Sequence, residues 1–284
     1  MIIRSWIVLS FVLAIGAASE LRAADPTKPA PPKPKDEEID PDVLRKVKKL
    51  VQGTLSSDEA EREKAWNQIK DMGNLAVPGL IGVYRQKTTT PEEVGSILIA
   101  LGDSKDPRAG PALIELLSSP EKSIRAATAR SMGDIGYKGG VPALLKLAQD
   151  AKEDEDVRLF AAASASKMEN ADAQKVLGEL LKSSHPEIRS RAVFWLGKSG
   201  AIKEIALIEA ALSDKDQSVR EDAVEALRLL KKEPAWPGLI KAVEDEDYKI
   251  RNAAMDALKE LTGENIDKNP QAWKDWWKKR TEKK

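Results

Sequence analysis

An aliphatic–arginine pair recurs five times along this chain, and it limits the choice of fold more than any other feature. The pairs are Ile124-Arg125, Val157-Arg158, Ile188-Arg189, Val219-Arg220 and Ile250-Arg251. Their arginines are 33, 31, 31 and 31 residues apart, and each is followed by a stretch of small, helix-forming residues. A fixed period of this size marks stacked supersecondary units, each too small to bury its own apolar face.

Local signals agree with a helical hairpin in every unit. First helices are expected to begin near Asp58, Glu92, Lys122, Glu155, Glu187, Gln217 and Tyr248. Second helices are expected near Val77, Gly110, Val141, Ala173, Lys203 and Trp236. Pro78, Pro111, Pro142 and Pro237 fall in the first turns of second helices, where a missing N–H costs nothing. Gly73, Gly102, Gly133 and Gly197 read as closing residues of first helices. Three, six and seven residues after each arginine the chain places mostly small or aliphatic residues, such as Ala192, Ala226 and Leu258. These offsets share one helical face, so they predict a buried seam where neighbouring helices approach closely. Four residues before the arginines stand Glu121, Asp154, His185, Asp216 and Asp247. An acid there caps a helix start and lies on the same side as the arginine one turn later.

The stretches Asp106–Gly136 (DPRAGPALIELLSSPEKSIRAATARSMGDIG) and Ala206–Leu227 (ALIEAALSDKDQSVREDAVEAL) resemble HEAT repeats, of the short subtype named after phycobilisome lyases. The resemblance covers about residues 42–262 and implies an all-α solenoid of six or seven HEAT-like hairpins. It also implies an Asp–Arg ladder between repeats, carried here onto Asp154, Asp216, Asp247, Arg158, Arg220 and Arg251, with His185 breaking the pattern. In such arrays second helices line the concave side. The polar position that recurs on them, Glu115, Lys146, Glu179, Glu209 and Lys241, is therefore the candidate partner-binding row. Its mixed signs do not make the continuous basic stripe that nucleic acid requires. Trp195, a large ring where other repeats carry Ser or Ala, joins the candidates either as a filler of a local gap or as an exposed contact.

The N-terminus reads as an export signal. Arg4 precedes an apolar run from Trp6 to Ala18, with small residues at Ala17-Ala18 and Ala23-Ala24. Cleavage after Ala23 is expected, with Ala18 as the second choice and an uncleaved membrane anchor as the competing arrangement. Residues 24–41 hold six prolines with Lys28, Lys33 and Lys35 between them, the composition of an extended linker. The chain has no cysteine, which excludes disulfides and lipid attachment at a cleavage-site cysteine. Lys+Arg and Asp+Glu both number 46, so net charge favours neither a polyanion nor a membrane surface as partner.

At the other end, Trp273, Trp276 and Trp277 occupy one side of a short helix after Pro270. They are expected to seal the open core of the last repeat, with a sugar- or peptide-stacking platform as the alternative. The basic residues Lys274, Lys278, Lys279, Arg280, Lys283 and Lys284 read as a cationic helix end. Reaction chemistry finds little support. His185 is the one histidine, and no second histidine exists to complete a zinc site. The acidic pairs Asp154/Asp156, Asp214/Asp216 and Asp245/Asp247 lack the ligands and glycine of a calcium loop. Gly136-Tyr137-Lys138-Gly139-Gly140 lacks the strand and the Lys-Ser/Thr ending of a phosphate loop.

The sequence thus predicts an exported, non-catalytic scaffold in the periplasm or cell envelope, without cofactor, metal or small-molecule substrate, holding a protein or peptide on its second helices. Two alternatives remain: an enzyme or enzyme subunit related to the phycobilisome-lyase type, and a membrane-anchored structural protein of the envelope.

Overall fold

The computed structural model describes residues 39–282, all of whose regular structure is helical. The expected signal segment 1–23 and the linker up to residue 38 lie outside the described residues. Helix α1 (Pro41–Gly53) starts one residue before the expected boundary, because the Asp40 side chain accepts the Asp42 N–H and Pro41 occupies the first turn. Six hairpins follow: α2 (Glu59–Met72) with α3 (Ala76–Tyr84), α4 (Pro91–Ser104) with α5 (Gly110–Leu116), and α6 (Lys122–Ile135) with α7 (Val141–Gln149). The others are α8 (Glu155–Lys167) with α9 (Ala171–Leu180), α10 (Pro186–Lys198) with α11 (Ile205–Ala211), and α12 (Gln217–Leu230) with α13 (Trp236–Ala242). Helix α14 (Tyr248–Thr262) and the terminal α15 (Pro270–Thr281) complete the array.

The starts are fixed by side-chain caps. Asp58, Asp154, Asp216 and Asp247 each accept a backbone N–H two residues on, and Thr90 forms a reciprocal capping box with Glu93. Glu121 and His185, at the corresponding positions, make no such bond. A 3₁₀ turn precedes most second helices, as at Pro107–Ala109 and Glu233–Ala235.

First helices pack on first helices of the next unit, and each second helix packs on the first helix that follows it. The buried residues form one continuous cluster from Val47 to Trp273. The positions three, six and seven after each arginine are buried as predicted, Trp195 alone being half-buried.

Three of the four glycines expected to close first helices do something else. Gly73 is a true terminus, with φ of 51°. Gly102, Gly133 and Gly197 instead lie inside α4, α6 and α10, and those helices close at Lys105, Gly136 and Ser199. Their role is close approach between helices. A Cβ at Gly197 would lie 2.3 Å from the Cα of Ala226, and one at Gly133 would lie 2.9 Å from the Cα of Ser164. The sequence signal for them is position: each glycine stands eight residues after an arginine or its equivalent, facing a small residue six after the next.

At the C-terminus the tryptophans make the expected cap. Trp273 is fully buried, and Trp276 lies 5.7 Å from it and 5.9 Å from Trp236, centroid to centroid. Arg280 spreads its guanidinium over Trp236 at 4.8 Å and Trp276 at 5.6 Å. Asn269 caps the start of α15 by accepting from Gln271 N and Ala272 N.

Candidate functional site

The most developed polar feature is a ladder of buried ion pairs through the turns that precede first helices. Arg189 donates from Nε and Nη2 to the two carboxylate oxygens of Asp214, both at 2.8 Å, while its Nη1 donates to the Ser183 carbonyl at 3.0 Å. Arg125 makes the same fork to Glu153 at 2.7 Å and 2.7 Å, and Arg220 reaches Asp245 at 2.9 Å and Glu246 at 3.1 Å. The Arg189 hydrogen bonds hold the Asp214 carboxyl below the usual carboxylate range, and those of Arg125 do the same for Glu153.

This corrects the predicted rungs in register. The ladder does run between repeats, but the acids that carry it are Glu153, Asp214 and Asp245, not Asp154, Asp216 and Asp247. The latter three are engaged as helix caps, and Asp154 also pairs across the repeat, with Lys122 at 2.7 Å and not with an arginine. Arg158 and Arg251 have no such rung. Arg158 donates to the Ala148 carbonyl at 2.9 Å and stands 3.6 Å from Glu179. Arg251 donates to the carbonyls of Asp245 and Glu246.

The break expected at His185 is real but arises at Ser183, the position equivalent to Asp214. The Ser183 hydroxyl donates to Glu155 at 2.6 Å, and His185 Nδ1 lies 3.1 Å from the same oxygen. Those two contacts hold the Glu155 carboxyl below its ordinary range.

Glu115, Lys146, Glu179 and Lys241 are exposed on α5, α7, α9 and α13, and Glu209 is half-buried on α11. Several are engaged. Arg85 lies 4.0 Å from Glu115, and Lys241 donates to the Ser213 hydroxyl at 2.9 Å. Trp195 is separated from this row. It lies on a first helix, α10, packed against the core, with the ammonium groups of Lys167 and Lys198 over its ring at 4.9 Å and 5.4 Å. Among the described residues no group of three or more His, Cys, Asp or Glu side chains is arranged to hold a metal ion. No described helix is long and apolar enough to cross a membrane.

A groove that sequence reasoning did not single out lies between the turns preceding α4 and α6. It encloses about 400 Å³, and its lining includes Tyr84, Thr89, Val94, Glu115, Glu121 and Ile124. Burial, and then the nearby Glu115 charge, raise the Tyr84 hydroxyl above its ordinary value.

Comparison with known proteins agrees with this architecture. The family model described as HEAT repeats matches residues 77–155, 110–197, 142–228 and 204–272. The chain belongs to the HEAT-repeat family. No curated protein matches it. Among solved structures it is similar to the complex of CpcE and CpcF of phycocyanin lyase from Nostoc sp. PCC7120, at 17% identity over 87% of this chain and 100% of that one, with a TM-score of 0.47. It is also similar to Escherichia coli YibA, at 20% identity over 77% and 81% of the two chains (TM-score 0.47). A third likeness is human deoxyhypusine hydroxylase, at 15% identity over 78% and 98% (TM-score 0.37).

Proposed function

We propose that this chain is a non-catalytic binding scaffold that holds a protein or peptide partner across its second helices. The observation that carries the reading is the row Glu115, Lys146, Glu179, Glu209 and Lys241. It recurs on five of the six second helices, exposed at every position but the half-buried Glu209, on a framework fixed by a continuous core. A pre-ordered backbone that presents side chains at regular spacing binds an extended partner without the cost of ordering its own main chain. The mixture of three acids and two lysines suits a polypeptide of mixed charge.

Export completes the proposal. Arg4, the apolar run Trp6–Ala18 and the small residues after it support a cleaved signal and a place in the periplasm or cell envelope. Mass spectrometry of the mature protein is expected to find Ala24 as its first residue; a retained Met1 would favour an anchored protein.

The scaffold reading is tested by a photo-crosslinking residue placed singly at Lys146, Glu179 or Lys241 and, for contrast, at the exposed first-helix positions Asp156, Glu221 and Lys259. In cells, one and the same protein should be captured from the second-helix positions and not from the others. Capture from both layers alike would refute a dedicated surface. A substrate turnover lost on changing one carboxylate would refute the non-catalytic assignment.

A further inference from the structure

The outward face of the first helices α8, α10, α12 and α14 has two halves of different chemistry. These helices run in the same direction and in step. The Ser190 hydroxyl donates to Asp222, and Arg228 pairs with Glu260 at 3.0 Å, each contact joining nearly equal positions on successive first helices. Positions two, five and nine after the repeat arginine lie on the side away from the core, and all but Ala163 are half-buried or exposed. On α8 and α10 they carry Phe160, Lys167, Arg191, Phe194 and Lys198. On α12 and α14 they carry Asp222, Glu225, Leu229, Ala253, Asp256 and Glu260. One half is aromatic and cationic, the other acidic.

Some of these charges have weak partners or none in their own chain. Among the described residues neither Asp222 nor Lys198 is in an ion pair; Lys198 lies over the rings of Phe194 and Trp195 instead. Burial, opposed by the Ser190 bond and reinforced by the Glu221 and Glu225 charges, raises the Asp222 carboxyl above its ordinary range. Arg191 meets Asp156 at 3.2 Å, but both side chains are about half exposed, and an exposed pair of this kind exchanges partners at little cost.

We propose that a second copy of this chain covers this face, related by a two-fold axis that runs between α10 and α12 and parallel to them. Such an axis lays α10 on α12 of the second copy and α8 on its α14, so residues equally far from their repeat arginines meet. Arg191 then faces Asp222 of the second copy, and Lys167 faces Glu260. Two residues before the arginines, Asp156 faces Lys249, both exposed. Phe160 meets Ala253, while Phe194 and Leu229 flank the axis, which places aromatic and arginine side chains where interface cores are enriched in them. No like charges are opposed at these positions. The position of the axis is specific. Moved by one unit it would set Lys167 against Lys198, or Glu225 against Asp256. Helices of 13 to 15 residues are about 20 Å long, and four of them at 8–10 Å spacing offer roughly 600–800 Å² per copy. That is the lower end of what a stable dimer buries. The second-helix row takes no part in this contact.

Sedimentation of the intact chain tests the proposal. A monomer–dimer equilibrium with a dissociation constant of about 1–100 µM is expected, weakening as salt is added. Asp156→Lys and Lys249→Glu should each weaken it about tenfold or more, and the two together in one chain should restore it to within about threefold. Circular dichroism of the dilute chains checks that each variant is folded. A photo-crosslinking residue at Glu221 should join two copies of this chain. A chain that stays monomeric up to about 100 µM would overturn the proposal, as would a dimer that neither single change weakens or the double change does not restore. A monomer that binds phosphatidylglycerol vesicles through Arg191 and Lys198 would give the face to a lipid surface and overturn it equally.

Discussion

The junction of α10 with α12 and the junction of α8 with α10 come from the same repeat, yet they are built differently. In the first, Gly197 meets Ala226 at backbone distance and Arg189 is forked onto Asp214. In the second, the corresponding positions hold Ser166 and Trp195, Ser183 replaces the acid of the rung, and Arg158 turns to a carbonyl of α7 and towards Glu179. Helices α10 and α12 accordingly touch along more of their length than α8 and α10 do. An indole cannot occupy a seam made for a methyl group, so it holds the backbones apart. The lysines over the ring shield the widened edge. The stability of a solenoid is set seam by seam, since each unit contacts only its neighbours. Two seams of one chain can therefore differ while the repeat stays recognisable.

The comparison is broken most directly at the arginines. Arg189→Ala leaves the Asp214 carboxylate buried without its partner and should lower unfolding stability by about 3–5 kcal/mol. Arg158→Ala removes mainly one hydrogen bond and should cost about 1 kcal/mol. Urea denaturation of both variants measures the difference, and equal costs would mean that the two seams are energetically alike. Next in size is Gly197→Ala. The added Cβ meets backbone atoms of Ala226, which side-chain rotation cannot move aside, so a loss of about 1–3 kcal/mol is expected in the same assay.

Acid sharpens the contrast further. The carboxyls of Asp214 and Glu153 are held below their ordinary values in the folded chain. Their contribution is present above the unfolded carboxylate value, about 4. It is lost as pH falls through the depressed folded values. Melting temperature should thus drop on acidification below about pH 4, and the Arg189→Ala chain, already lacking one rung, should show the smaller drop. The smallest effect has the opposite sign. Gly95 lies within α4 with open space where a Cβ would go, so Gly95→Ala should stabilise by about 0.5–1 kcal/mol. Loss of stability there would mean that α4 is packed more tightly than its open flank implies.

Much of this was legible before folding. The arginine period, the aspartate caps and the buried offsets are local or strictly periodic signals, and they gave the solenoid and its helix starts within two residues; the spacing of Trp273, Trp276 and Trp277 gave the cap. The errors share one cause. Gly102, Gly133 and Gly197 read as helix ends because a glycine near the end of a periodic run usually is one. Their reason is a neighbouring helix about thirty residues further along. The ladder acids were misplaced by one or two residues because Asp154, Asp216 and Asp247 fit two roles, and capping claims them first. In the second-helix row, the sequence located the exposed positions but did not reveal the engagement of Glu179 with Arg158 or the distance of Trp195 from the row.

What the sequence alone determined is the class of fold. Helical periodicity, caps and repeat length act within one unit, where chain connectivity already brings the interacting groups together. Only the tertiary structure decided which acid meets which arginine, how closely each pair of helices approaches, and where a rung is missing. Those are relations between units, and a shift of one or two residues in a turn, invisible to a periodic pattern, changes which side chains face one another.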